Sequence, residues 1–335
     1  MSTSVAIPEF VSLLDTLRHL IEEARGRAAQ AVNQEMVSLY WELGRHIVEF
    51  EQAGAERAAY GEALLATLSE RLIEQFGRGY SERNLRNFRQ FYLLFPNRQS
   101  VPAKLTWTHL LHILRVDHPL GREFYGRQAE FEHWSTRELE RQINSLLFER
   151  LALSRDKAGV LALAAEGHRL KQPTDLLKDP YVFEFLGLPE GHVLNETELE
   201  DRLVSKLEEF LLELGRGFCF VARQKRITVG ADHFYIDLVF YHRILKCFVL
   251  IDLKMAPFKP ADAGQMNFYL NWMKEEEGVP DDNPPIGILL CVEKNELYVK
   301  YATAGLENLV LAGRFALELP KPEQLSKALA EVLGK

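Results

Sequence analysis

The stretch that decides the fold is Phe234-Tyr-Ile-Asp-Leu-Val-Phe-Tyr241 read together with Cys247-Phe-Val-Leu-Ile-Asp-Leu-Lys254. Both runs are dense in β-branched and aromatic residues, and His242 to Lys246 between them is long enough for a hairpin turn. The second run is apolar without alternation up to Asp252, the pattern of a strand covered on both faces. A carboxylate in such a strand is costly unless it is paired or binds a cation. Strand alternation puts Asp252 and Lys254 on one face, and the hairpin sets Asp237 across from them. A lone Asp-x-Lys triplet reads as an ordinary strand-end ion pair. The second acid, centred in the preceding strand, turns the reading toward a site.

The flanking segments supply further groups. Asn195 to Leu214 reads as one long amphipathic helix, with Asn195 as N-cap and Glu198 closing a capping box. Glu198, Arg202, Ser205 and Glu209 form its polar face, whereas Glu200 lies on the stripe of Val204, Leu207 and Leu211 and is expected to face the sheet. After the second strand, a helix from about Ala261 to Lys274 carries Gln265 and Tyr269 on one face. Strands are expected at Phe218 to Val229, Pro285 to Val292 and Leu297 to Tyr301. Helix, three strands, helix and further strands make a C-terminal α/β domain, a small mixed sheet flanked by helices. Carboxylate oxygens at such a point suit Mg²⁺ or Mn²⁺. A metal there polarises a phosphoryl oxygen and acidifies bound water, while Lys254 offsets developing charge. The pattern predicts phosphodiester hydrolysis, with Asp237, Asp252 and Glu200 as metal ligands.

Asp237, Asp252-Leu-Lys254 and Gln265-x-x-x-Tyr269, after a helix bearing Glu200, resemble the PD-(D/E)XK nuclease superfamily in its RecB-like branch. The wider chain resembles the YhcG-like family, which pairs this domain with a helical N-terminal domain. The matching stretches are Leu39-Tyr-Trp-Glu-Leu-Gly44, Gly79-Tyr-Ser-Glu-Arg-Asn-Leu85, His133-Trp-Ser-Thr-Arg-Glu-Leu-Glu-Arg141, Phe210-Leu-Leu-Glu-Leu214 and Gly264-Gln-Met-Asn-Phe-Tyr-Leu270. The resemblance implies a restriction-endonuclease-like fold and a divalent-metal site at Asp237, Asp252 and Lys254. It adds contributions from Glu200, Gln265 and Tyr269. Ile236 stands where the superfamily name has proline. Asp252 stands in place of glutamate and is shorter by one methylene.

Residues 8–170 read as helix after helix and 171–194 as a structured linker broken by Pro173, Pro180, Gly187, Pro189 and Gly191, leaving 195–335 for the nuclease-like domain. Within the helical part, a helix from about Gly61 to Phe76 stops at Gly77, and Ser81 caps another that ends near Phe95. Ser135 and Glu138 form a capping box. Residues 71–127 hold ten Lys and Arg against four acids, inside a chain of net charge −8. Arg83, Asn84, Arg86, Asn87 and Gln90 therefore make a candidate nucleic-acid-binding helix after a tight turn, in the manner of a helix-turn-helix reader. Trp41, Trp107 and Trp134 read as core anchors.

At 335 residues and 47% hydrophobic, the chain can bury two cores without staples. Cys219, Cys247 and Cys291 are too scattered for a disulfide framework or zinc site and read as buried small hydrophobes. No apolar run is long enough to span a bilayer, and no signal peptide is read at the N-terminus, so a cytoplasmic protein is expected. Two readings follow: a metal-dependent deoxyribonuclease, or a catalytically inactive nuclease fold that binds nucleic acid or builds an assembly. RNA as substrate and a homo-oligomer stay open.

Overall fold

The computed structural model describes residues 8–52, 63–153, 157–170, 172–188, 194–319 and 321–334. The expected helix start at Gly61 and the Pro189 to Gly191 break lie outside these. The chain forms two compact units, residues 1–139 and 140–335, dividing within a helix.

The first unit is helical: α1 (Pro8–Gln52), α2 (Leu64–Phe76), α3 (Glu82–Leu94), α4 (Trp107–Ile113), α5 (Pro119–Glu132) and the start of α6 (Thr136–Asn144). Its centre is the crossing of α1 and α3, where Ile47, Leu85 and Phe88 are buried among Tyr40, Leu43 and Trp107. Tyr40 stacks on Phe88 with ring centroids 4.3 Å apart. Gly44 makes this approach possible, since a Cβ there would sit 2.0 Å from the Phe88 carbonyl oxygen. Ser81 caps α3 as expected, accepting from Asn84 N–H, and Gly77 ends α2 at φ 88°. Trp41 and Trp134 are buried and Trp107 joins the α1–α3 cluster, so all three act as anchors.

The second unit contains α7 (Leu147–Leu153), α8 (Lys157–Glu166), β1 (Tyr181–Val182), α9 (Glu196–Ser205), α10 (Leu207–Leu214), β2 (Phe218–Val229), β3 (Asp232–His242), β4 (Cys247–Lys254), α11 (Pro260–Glu276), β5 (Ile286–Cys291), α12 (Glu296–Thr303), β6 (Leu309–Ala316) and α13 (Pro322–Leu333). One mixed sheet runs β1-β6-β5-β4-β3-β2. Strands β2, β3 and β4 pair antiparallel, and β4, β5, β6 and β1 pair parallel. Helices α9 and α10 cover one face through Leu199, Leu203, Phe210 and Leu214. Helix α11 covers the other through Ala263, Met266, Tyr269 and Leu270. Every residue of β4 from Val249 to Leu253 is buried, as its unbroken apolar run requires.

Four expectations change. Residues 297–301 are helical, because Asn295 caps α12 by accepting from the N–H groups of Leu297 and Tyr298. The last long strand is instead β6, reached from β5 through α12, as a parallel crossover demands. The helix expected to run unbroken from Asn195 to Leu214 breaks at Lys206 (φ −118°, ψ 39°), and both halves feed the same apolar cluster. Residues 140–170 and the described part of 171–194 belong to the second unit. β1 pairs with β6, and Arg150 of α7 reaches Glu213 of α10 at 2.8 Å. Finally, Cys219 is exposed, while Cys247 and Cys291 are buried; all three are free thiols.

Glu213 organises that corner. It is fully buried, and its carboxylate takes Arg150, Arg141 (3.2 Å) and the N–H of Val182 (2.9 Å). Burial alone would raise its pKa, but Arg150, Lys178 and Arg141 outweigh it and hold the group below the usual carboxylate range.

Candidate active site

Strand pairing brings the expected groups together. The β3–β4 ladder is in register from His242·Cys247 to Leu238·Ile251. One residue further would stand Asp237 opposite Asp252, and there the pairing stops: the N–H of Leu253 donates to Asp237 Oδ2 at 2.8 Å instead. A side chain thus replaces a rung of the ladder, fixing the Asp237 carboxylate against β4. Asp252 shares the face of Leu250, which packs against α11.

Asp252 is 3% exposed. Burial, with Asp237 beside it and close enough to hydrogen-bond, pushes its carboxyl up to about 7 despite Lys254. Lys254 Nζ lies 2.7 Å from Asp252 Oδ2. Burial would lower the pKa of that ammonium, but Asp252 overrides it and the net shift is upward, so Lys254 stays protonated. Gln265 Nε2 donates to Tyr269 Oη at 2.6 Å. The phenol of Tyr269 is buried, its pKa raised by that burial, and it feels the charges of Asp252, Lys254 and Asp237.

Glu200 faces the sheet as its place on the apolar stripe predicts. The Asn195–Glu198 capping box sets the phase of α9 so that Leu199, Glu200 and Leu203 turn inward. Glu200 is 2% exposed, and burial raises its pKa. Arg223 Nε approaches its Oε1 to 3.2 Å but lies off the hydrogen-bonding direction, so this buried oxygen has no hydrogen-bond donor.

Two contributors escaped the sequence reading. Gln224 on β2 donates through Nε2 to Glu200 Oε2 and, at 3.1 Å, to Asp237 Oδ1. It does so from φ 45°, a left-handed conformation that a non-glycine residue adopts at a cost of order 1–3 kcal/mol. In sequence it is one polar residue within Arg223-Gln-Lys-Arg226, which reads as a solvated strand. The other is Glu196, the first residue of α9, which accepts from Met255 N–H at 3.1 Å and adds negative potential at Lys254.

The acids form a chain, Asp252–Asp237–Gln224–Glu200. Among the described residues no three His, Cys, Asp or Glu side chains form a ready-made metal cage. The set of Asp237, Asp252 and Glu200 expected as ligands is therefore linked through Gln224 instead of closing on one point. Two features nevertheless fit a divalent cation. The half-buried Asp237 carboxyl lies against the buried Asp252 carboxyl and opposes its ionisation, and Glu200 keeps a buried oxygen without a donor.

Of the five polar residues expected to meet nucleic acid on α3, three have intramolecular partners. Asn84 donates to Gly79 O, Gln90 to Leu114 O, and Arg86 to Glu82. Arg83 is exposed and Asn87 half-buried. No helix among the described residues is long and apolar enough to cross a membrane.

A mixed sheet with two acids and a lysine at the end of its β3–β4 hairpin, a glutamate on the preceding helix and Gln265/Tyr269 on the following one defines a PD-(D/E)XK-type nuclease domain. Residues 174–330 match the family model of the YhcG PDDEXK nuclease domain, and residues 16–150 that of the DUF1016 N-terminal domain. The chain belongs to the YhcG family. It is 39% identical over 347 residues to the protein named "Putative nuclease YhcG" of Escherichia coli (strain K12), covering 94% of this chain and 92% of that one. Among solved structures, a repair endonuclease from Pyrococcus abyssi matches at 21% identity and TM-score 0.27, over 39% of this chain and 50% of its own. EndoMS in complex with dsDNA matches at 18% and 0.27, over 40% and 50%.

Proposed function

We propose that this chain is a divalent-metal-dependent deoxyribonuclease. The observation that supports it most is the contact of half-buried Asp237 with buried Asp252, with Lys254 held 2.7 Å from Asp252. Asp237 and Asp252 would hold Mg²⁺ or Mn²⁺, with the Glu200 oxygen that faces Arg223 at the margin of the site. When bound, such an ion supplies Lewis acidity at a phosphoryl oxygen and acidifies a water.

The protein's own groups do the rest. Lys254, kept as an ammonium by its acid neighbour, cannot accept the proton of an attacking water; it donates to a phosphate oxygen and offsets charge as the P–O bond breaks. Gln265 fixes the Tyr269 phenol against Asp252 and Lys254, and the phenol stays protonated. The Leu253 N–H and the Gln224 amide hold the Asp237 carboxylate from two sides, so neither oxygen drifts when substrate enters. In the first unit, Arg83 and Asn87 on α3 provide the basic face that meets a DNA backbone.

Cleavage of plasmid, linear DNA and RNA by the purified chain, side by side, with Mg²⁺, Mn²⁺ or EDTA, tests this. DNA is cut only with metal, and Asp237→Asn and Lys254→Met each lose at least about 10²–10³-fold. DNA that is bound but never cut under any divalent metal would establish the inactive, nucleic-acid-binding alternative. Cleavage of RNA alone would move the substrate.

A further inference from the structure

The β2–β3 hairpin outruns its neighbour in the sheet. β4 pairs with β3 from His242 back to Leu238, whereas β2 and β3 stay paired out to Val229 and Asp232. Residues 225–236 therefore form an arm that begins where Gln224 and Asp237 end. One face of the arm is packed: Ile227, Phe234 and Ile236 join the cluster under α11, and Phe234 meets Phe268 with ring centroids 5.0 Å apart. Strand alternation turns Arg226, Thr228, His233 and Tyr235 to the other face. Helix α9 meets β2 at Arg223, through Glu200 and Asp201, and leaves these four side chains exposed.

The bare face has a direction and a charge. Arg226 and Tyr235 are cross-strand partners, each two residues, about 7 Å, beyond Gln224 or Asp237. Thr228 and His233 form the next pair out. The Arg226 guanidinium donates to His233 Nε2 at 2.8 Å. A guanidinium only donates, so the ring proton is on Nδ1, which faces Thr228 Oγ1 at 3.1 Å. This chain steers Arg226 while using one of its N–H groups, and no carboxylate among the described residues pairs with it. The one acid of residues 225–236, Asp232, falls on the packed face by the same alternation. Lys225, also on the packed face, is held by Glu277 at 2.7 Å. Tyr235 leaves 49% of its surface in solvent. An uncommitted cation beside an open aromatic ring, continuous with a phosphodiester site, fits a nucleic-acid strand: phosphate to guanidinium and base to ring.

We propose, building on the nuclease reading, that this arm binds single-stranded DNA as it leaves the site. Arg226 holds the phosphate next to the one that is cut, and Tyr235 stacks on the unpaired base beside it. The substrate class is then DNA whose strand is unpaired on one side of the cut.

Fluorescence anisotropy of labelled DNA on the full chain tests it, in EDTA so that nothing is cut. Tyr235→Ala weakens binding of single-stranded DNA about tenfold and leaves blunt duplex unchanged, and Tyr235→Phe keeps the wild-type affinity. Arg226→Ala reduces the steepness of log affinity against log salt by about 0.7, the loss of one phosphate contact to a single strand. Lys225→Met, which removes an equal charge from the packed face, leaves affinity and slope unchanged. With Mn²⁺, Arg226→Ala and Tyr235→Ala each raise KM for single-stranded DNA about tenfold and hold kcat within about twofold. Equal losses from Lys225→Met and Arg226→Ala would overturn the proposal. So would single-strand affinity untouched by Tyr235→Ala, or a duplex loss equal to the single-strand one. Should no metal support cleavage, the nuclease reading falls, and the binding ratios still decide the arm. Arg226 and Tyr235 are exposed, so folding is not at issue.

Discussion

Replacing Asp252 with asparagine should abolish cleavage and yet make the protein more stable at alkaline pH. A carboxyl moved from its usual 3.8 to about 7 carries an ionisation cost on the order of 4 kcal/mol in the folded state. The unfolded chain ionises this group near pH 4, whereas the folded chain holds the proton until about pH 7. Between those values the native state binds the extra proton, so this group's contribution to stability falls as pH rises and levels off above 7. Asparagine keeps the shape and an acceptor for Lys254 without the charge. The variant should therefore approach the wild type as pH falls to 4 and below, and exceed it by about 2–4 kcal/mol at pH 8, the upper figure being the full ionisation cost. For a unit of this size that is roughly 5–15 °C in the melting of the second unit. Calorimetry on metal-free protein from pH 4.5 to 8.5 reads it directly. Adding Mn²⁺ should narrow the gap, stabilising the wild type and leaving the variant unmoved. A variant less stable than wild type at pH 8, or a difference independent of pH, would refute the claim that Asp252 is held against its charge.

Other substitutions separate position from chemistry. Gln224→Gly removes the tether between Glu200 and Asp237 while tolerating φ 45°; stability should change by less than about 1 kcal/mol while kcat or metal affinity falls about 10–100-fold. Glu213→Gln leaves Arg150 buried without its anion and should cost about 3–5 kcal/mol in a denaturant midpoint, with cleavage by the remaining folded protein unchanged. Gly44→Ala puts a methyl into the Phe88 carbonyl and should destabilise the first unit by about 1–3 kcal/mol or more, despite alanine's better helix propensity. Arg83→Ala should weaken DNA binding evenly across sequences and reduce the salt slope by about one; an unchanged slope would remove Arg83 from the phosphate contacts.

The hairpin and its acids were legible because β4 is an uninterrupted apolar strand, and the second acid in β3 sets Asp252 and Lys254 apart from an ordinary strand-end ion pair. Glu200 was legible from phase: once Asn195 caps α9, its position on the stripe follows. Gln224 was not, since a bulged strand between Phe220 and Ala222 and a positive φ decide where its amide points, and neither leaves a mark in Arg223-Gln-Lys-Arg226. The segment 297–301 misled because Leu-Tyr-Val-Lys-Tyr has strand composition, while one asparagine side chain and the need for a crossover made it helix. β1 was hidden in a stretch rich in proline and glycine; a two-residue edge strand is set by the groove beside β6 rather than by its own propensity. On α3 the charge pattern was readable, but which polar side chains were already committed was not.

The central claim, that acids from two adjacent strands serve one divalent ion, is tested most directly by anomalous diffraction from a crystal equilibrated with Mn²⁺. The account predicts a peak within coordinating distance of both Asp237 and Asp252, absent from an Asp252→Asn crystal. Manganese bound away from both carboxylates, or a peak that survives that substitution unchanged, would contradict it.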